Sequence, residues 1–193
     1  MSTGTATPEP RPGSARERLL DAASELFYRH GIRAVGIDTV IERAGVAKMS
    51  LYNHFRSKDE LVVAYLERRE QRWSEFFDAE LRAVGGAPGD RVLAVFDILA
   101  TWLERECPRG CAFVNAEAEL ADPRHPAQAV IEADKARLRG WLAELVAETG
   151  AAAPGALADQ LFLLLEGALV TTGTGRVRDP VGIARQAAAR LLA

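Results

Sequence analysis

Strand-forming patterns are nearly absent from this chain of 193 residues, and so are cysteine, histidine and any excess of positive charge. Each shortage removes a class of protein. Without alternating apolar and polar runs there is no basis for a sheet. Apolar residues recur instead at intervals of three and four between glycines and prolines, the period of buried helix faces, so the fold is expected to be all-α with about nine helices. The three histidines, His30, His54 and His125, are scattered: His54 falls in a short helix, and His30 and His125 lie at helix boundaries where solvent exposure is expected. No nucleophile, metal cluster or phosphate loop accompanies them, so neither enzyme chemistry nor a cofactor is expected. Cys107 and Cys111 enclose Pro-Arg-Gly, which is neither a C-x-x-C redox motif nor a zinc spacing with a second ligand pair. Free thiols packed as small hydrophobes have the same spacing, and a thiol redox sensor using the pair is the competing reading. No window reaches the roughly 18 consecutive apolar residues of a membrane span, and the opening MSTGTATPEP lacks the features of a signal peptide, so no membrane partner and a cytoplasmic location are expected.

What is present is a core-forming chain, 48% hydrophobic, with uneven charge. The net charge is −3, yet residues 1–58 hold nine Arg and Lys against six Asp and Glu, leaving 15 basic and 21 acidic residues in the remainder. A weakly basic head on an acidic body restricts any nucleic-acid contact to a local patch. The first dozen residues, rich in Pro, Thr and Gly, read as a disordered arm (1–12).

Helix punctuation then divides the chain. Ser14 with Glu17 forms a capping box that opens a helix carrying Leu19, Ala23, Leu26 and Phe27, which Gly31 stops. Two short helices follow, Asp38 to Ala44 and Ala47 to Phe55, broken at Gly45-Val46. Ser57 with Glu60 opens a long helix through Leu61, Tyr65, Trp73, Phe77 and Leu81 to the Gly-Gly-Ala-Pro-Gly linker at 85–89. Asp90 is expected to cap the next helix, which Pro108 and Gly110 end. Further helices are expected from about Ala112 to Leu120, from Pro126 toward Gly150, over LADQLFLLLEGALV after Pro154-Gly155, and after Asp179-Pro180.

Two short helices joined at a glycine, preceded by one helix and followed by a capped long one, have the geometry of a helix-turn-helix at 36–55. Ala44 is small where the two helices cross, and Gly45 supplies the positive φ of a sharp turn. With Val40, Val46, Leu51 and Phe55 facing inward, Lys48, Met49, Ser50, Tyr52, Asn53 and His54 face outward. A cation, a hydroxyl, an amide, an imidazole and an exposed aromatic suit a DNA groove: Asn pairs with an adenine edge, and Met or Tyr touches a thymine methyl. Arg33, Thr39, Arg56 and Lys58 are placed for phosphates. A helical hairpin with a polar surface has the same spacing.

The segment AGVAKMSLYNHFRSKDEL at 44–61 resembles the signature of the TetR family of bacterial repressors, with the L-Y-x-H-F-x-S-K core as its most specific part. The resemblance is detailed over residues 14–72 and architectural beyond them. It implies that Lys48, Ser50, Tyr52, Asn53 and His54 approach DNA, that Thr39 and Lys58 hold phosphates, and that Leu51 and Phe55 are core. Gly36 departs from the pattern, because Ser or Thr commonly caps the second helix there. Arg11, Arg16 and Arg18 fit either a basic arm reaching the minor groove or a solvated helix start.

The expected organisation is a DNA-binding domain at 13–72 and an effector-binding and dimerisation body at 73–193. A reader of this size covers one half-site of double-stranded operator DNA, so a homodimer is expected. Leu157, Leu161, Leu164, Leu165 and Ala168, with Ala184, Ala188, Leu191 and Leu192, supply its interface, or else complete an intramolecular core. The resemblance also implies a pocket for a small-molecule effector, whose binding releases the operator through the long helix after Ser57. Glu166 inside LFLLLEGALV is the clearest candidate, since an ionised carboxylate there needs a partner, water or a ligand. Phe162 lies one turn before it. Asn115 and Glu119 share a face near Cys111 and Phe113, and Trp102 and Trp141 complete the expected walls; each of these eight also fits a plain core or a dimer interface.

Overall fold

A computed structural model describes residues 13–107 and 109–193, so the expected arm at 1–12, with Arg11, and Pro108 lie outside the described residues. Among the described residues there are nine helices and no strand. The head holds α1 (Ala15–His30), α2 (Ile37–Ala44) and α3 (Lys48–His54). The long helix α4 (Lys58–Ala83) leads into α5 (Pro88–Glu106), α6 (Ala112–Glu119), α7 (Ala127–Ala147), α8 (Pro154–Thr174) and α9 (Pro180–Leu192).

The starts of the helices follow from local chemistry. Ser14 Oγ accepts from Glu17 N at 3.2 Å while the Glu17 carboxylate accepts from Ser14 N at 2.7 Å, closing the capping box that opens α1. At α4 only half of the box forms: Ser57 Oγ accepts from Glu60 N at 3.1 Å, but the Glu60 carboxylate reaches back to Arg56 N at 2.7 Å. Asp90 is not the cap of α5. Pro88 starts that helix two residues earlier, and Asp90 sits in its first turn, accepting from Ala87 N at 3.0 Å. Gly36 at the start of α2 makes no side-chain cap bond, the gap its missing hydroxyl leaves. Gly45 ends α2 with φ of +64°, the left-handed conformation the sharp turn demands.

Leu19, Leu20, Phe27, Val40, Leu51, Phe55, Leu61 and Tyr65 bury the head's interior. α1 packs on α2, α3 and α4, and the short reader helix α3 is held against α1 and α2. Because α4 runs unbroken from Lys58 to Ala83, the expected boundary between residues 72 and 73 falls inside one helix. Trp73 and Phe77 carry the core of the head into that of the body: the Trp73 ring lies 5.5 Å from Trp102, and Phe77 stacks on Trp141 at 4.0 Å. In the body, α5 contacts α4, α7 and α9, and α8 lies between α7 and α9.

α8 is long and apolar enough to cross a membrane by length and composition, although no run of about 18 uninterrupted apolar residues occurs in it. Its apolar residues divide between two faces. Leu161, Leu165, Ala168 and Leu169 are buried against the chain's own helices, while Leu163 and Val170, seven residues apart on the other side, are 69% and 49% exposed.

Candidate functional site

The reader helix α3 has only seven residues, too few to hold itself together in water, and two side chains anchor it. Leu51 and Phe55 are buried to within 2% of their surface. With that face fixed, Lys48, Met49, Tyr52, Asn53 and His54 are all exposed and Ser50 is half-buried, so the six outward residues expected from the sequence form one continuous surface. Met49 is 69% exposed, a large apolar group that nothing within the chain covers.

Cations flank this surface. Lys48 Nζ lies 2.8 Å from Asp38 Oδ1, and that hydrogen bond holds its ammonium above the usual lysine range. Both partners are largely solvated, so the pair can open when a phosphate competes. Lys58 rests over the Phe27 ring at 5.9 Å, at the N-terminus of the 26-residue α4, where free backbone N–H groups and the helix dipole favour anions. Thr39 is exposed on α2. Arg16 stacks its guanidinium on Phe55 at 5.2 Å, beside the end of α3, and Arg18 is half-buried. The Arg33 side chain is exposed, but its backbone N–H is used by the body: it donates to Glu119 Oε2 at 2.8 Å.

That bond corrects one expectation and belongs to a set that ties head to body. Glu119 does not face the interior of the body. Its carboxylate lies beneath Gly31, where a Cβ would come within 2.9 Å of it, and Gly31 itself has φ of +91°. Asn115, one turn earlier, donates to Arg109 O at 3.1 Å and also lies on this side. Arg109 donates to the C-terminal carbonyls of α1, Tyr28 O at 2.8 Å and Arg29 O at 2.6 Å. The Tyr28 hydroxyl donates to Gly110 O and accepts from Arg109 N, both at 2.9 Å. His125 is a further correction. Its ring is largely buried, with Nε2 3.3 Å from Asp59 of α4 and Nδ1 accepting from Ala127 N, whereas His30 is exposed.

The body holds a cavity of about 40 Å³ walled by Trp73, Leu99, Trp102, Leu103, Phe113 and Leu138. Its polar lining comprises Arg69, Asp134, Lys135 and both cysteines. Of the eight expected effector residues, Trp102, Cys111 and Phe113 line it. Glu166 reaches it through Lys135, whose Nζ it meets at 2.9 Å, which supplies the partner its setting demanded. Trp141 is taken up by Phe77, and Phe162 is half-buried against the core away from this lining. Arg69, Trp73, Asp134 and Lys135 are residues the sequence reading passed over. Asp134 had a legible signal, because it falls on the stripe Ile131, Asp134, Leu138, Leu142, all buried.

The interface residues also need correction. Leu161, Leu165, Ala168, Ala184 and Ala188 are buried within the chain, because α8 and α9 pack on each other and on α5 and α7, so they offer nothing to a second copy. Leu157 and Leu164 are half-buried and Leu191 is exposed. The large apolar side chains left outside on α8 and α9 are Leu163, Val170, Ile183 and Leu191, with Val177 exposed between the two helices.

The two cysteines are free and buried. Burial pushes the Cys107 thiol up to about 11 despite Arg69, which donates to its Sγ at 2.8 Å, and burial likewise raises Cys111.

Comparison with known proteins agrees with this geometry. Residues 19–65 match the family described as bacterial regulatory proteins, tetR family. The chain is 32% identical to a TetR-family transcriptional regulator from Streptomyces coelicolor, with a TM-score of 0.80 over 92% of each chain. It is 32% identical to the transcriptional repressor NemR of Escherichia coli over 55% of this chain and 54% of that protein. It is 53% identical to the transcriptional activator FasR of Mycolicibacterium smegmatis over 28% of this chain and 24% of that protein. The matches therefore span about half and about a quarter of those two curated relatives. These relatives are regulators rather than enzymes, and the chain belongs to the TetR family of helix-turn-helix, DNA-binding transcriptional regulators.

Proposed function

We propose that the chain is a repressor that binds palindromic operator DNA as a homodimer in the cytoplasm and releases it when a small molecule enters the body. The observation that carries this reading is the division of α3, with Leu51 and the adjoining Phe55 buried and Lys48, Met49, Tyr52, Asn53 and His54 exposed to solvent. Lys48, Met49, Ser50, Tyr52, Asn53 and His54 enter the major groove, with Asn53 reading a base edge. Arg33, Thr39 and Lys58 hold phosphates and fix register.

Dimerisation uses the outer faces of α8 and α9. Leu163, Val170, Ile183 and Leu191 are exposed there, and Leu157 and Leu164 are half-buried at the edge. Two such pairs meeting about a two-fold axis form a four-helix bundle. Ligand binding reaches the head by two routes, the unbroken α4 and the bonds from Arg109 and Glu119 to the end of α1. NemR is named a repressor and FasR an activator, so the sign of regulation rests on the reading that an unliganded dimer occupies its site.

The competing thiol-sensor reading draws on the cations beside both sulfurs, Arg69 at Cys107 and Lys135 Nζ at 3.8 Å from Cys111. Burial opposes it by keeping both thiols protonated. Footprinting on DNA upstream of the chain's own gene, with and without candidate effectors, tests the proposal. Protection of two half-sites supports it, and the absence of protection contradicts it.

A further inference from the structure

Among the described residues, Asp134 is the one charged side chain buried beyond nine-tenths, with 7% of its surface exposed. It lines the body cavity, where its ion-pair partner Lys135 holds Nζ 3.9 Å away, beyond hydrogen-bond reach, because that ammonium is drawn to Glu166 at 2.9 Å. A buried carboxylate without a hydrogen bond works against folding unless something completes it. Around it stand the indoles of Trp73 and Trp102, 5.5 Å apart and inclined at 56°, among leucines. A carboxylate that only shares a distant ammonium, beside aromatic faces, is the chemistry that recognises an organic ammonium ion.

We propose that the body cavity binds a compact organic cation, a protonated amine on a flat apolar frame, with the ammonium on Asp134 and the frame against Trp73 and Trp102. This rests on the reading of the body as an effector-binding unit and names the class of effector.

The cavity as it stands has room for only a few atoms, and its extension is visible. Arg69 and Trp102 also border an outer cleft of about 270 Å³ between α1, α4 and α5, so these two side chains belong to the walls of both spaces. Arg69 is held by Glu106 O at 3.0 Å, by Cys107 Sγ and by the rings of Tyr28 and Trp102 at 4.6 and 5.9 Å. A cation entering from the cleft displaces this like charge and takes its place on the Trp102 face. The displaced guanidinium also leaves the Tyr28 ring, whose hydroxyl carries two of the bonds between head and body, so entry of the ligand loosens the head. An anion would instead meet Asp134 and Glu166 with Lys135 already neutralised, so the lining cation it would draw on is Arg69, and benzoate tests that alternative.

The test uses three probes of one frame, benzylamine, benzyl alcohol and benzoate, at about pH 8, where benzylamine is protonated and Asp134 ionised. Thermal unfolding and tryptophan fluorescence are followed for the wild-type chain and for Asp134→Asn. The expected order is benzylamine far ahead of the other two, with the benzylamine affinity falling roughly tenfold or more in Asp134→Asn. Three results overturn the proposal: benzoate or the alcohol binding best, benzylamine binding equally well to Asp134→Asn, or no probe shifting either signal at millimolar concentration. Asp134→Asn removes a buried charge and keeps the shape, so its folding is not at risk, and its unfolding curve checks this. Wild-type binding to duplex DNA is measured in parallel: failure there contradicts the regulator reading and leaves the cavity result to stand by itself.

Discussion

Glu119 and Arg33, 86 residues apart, are joined by a hydrogen bond of 2.8 Å from the Arg33 backbone N–H to the Glu119 carboxylate. Arg33 belongs to the head and Glu119 to the last turn of α6, so the bond lies across the junction of head and body, through which the proposed ligand would act. Glu119→Ala is expected to lower stability by about 1 kcal/mol. It is also expected to bring the ratio of operator affinities without and with effector closer to one, as measured by titration of labelled duplex. Gly31→Ala acts on the same contact from the other side, since its Cβ meets the carboxylate and its φ is positive.

Under the proposed reading, Lys58 and Asn53 are expected to separate affinity from specificity. Lys58→Ala is expected to weaken binding to every duplex alike and to reduce the slope of log affinity against log salt by about one unit. Asn53→Ala is expected to relax preference at one base position per half-site, at a cost of about 1–3 kcal/mol on the preferred sequence. Uniform weakening by Asn53→Ala would assign it to the backbone.

Asp134 gives a stability profile of a definite sign. Burial is the main cause that pushes its carboxyl up to about 7 from 3.8, with Glu166 and Glu70 adding to the shift and Lys135 and Arg137 opposing it. The native state therefore keeps a proton that the unfolded chain has lost between those values, so the contribution of Asp134 to stability falls as pH rises from about 4 to 7. Asp134→Asn is expected to raise the unfolding free energy by a few kcal/mol at about pH 8 and by much less near pH 5, as read by denaturant titration. An equal effect at both values would contradict the buried carboxylate.

The thiols should be slow. With Cys107 held up to about 11 and Cys111 buried, alkylation of the folded chain is expected to lag far behind that of a free thiol, and peroxide is expected to leave operator binding intact. Peroxide release abolished by serine at both positions would favour the redox reading.

The head was readable from sequence because its signals are local: a capping box at Ser14, a turn glycine at 45, and a seven-residue helix whose inward pair stands four apart. The body was less so. Leu161, Leu165, Ala168, Ala184 and Ala188 have the periodicity of an interface, but periodicity identifies a buried face without saying whether the covering surface belongs to the same chain. Glu119 and His125 are bound to the head by contacts from distant elements, which spacing along one helix does not encode. Asp134 interrupts an apolar stripe and was visible in principle, yet its neighbours Trp73 and Trp102 come from two other helices.

The most direct test of the regulator reading is selection from randomised duplex DNA, followed by the mass of the complex formed on the winning sequence. The expected product is a two-fold symmetric site whose half-sites face the same side of the duplex, about one helical turn or a multiple apart, carrying two chains or a multiple of two. A single chain on an unsymmetrical sequence, or no enrichment at all, would contradict a dimer reading DNA through α3.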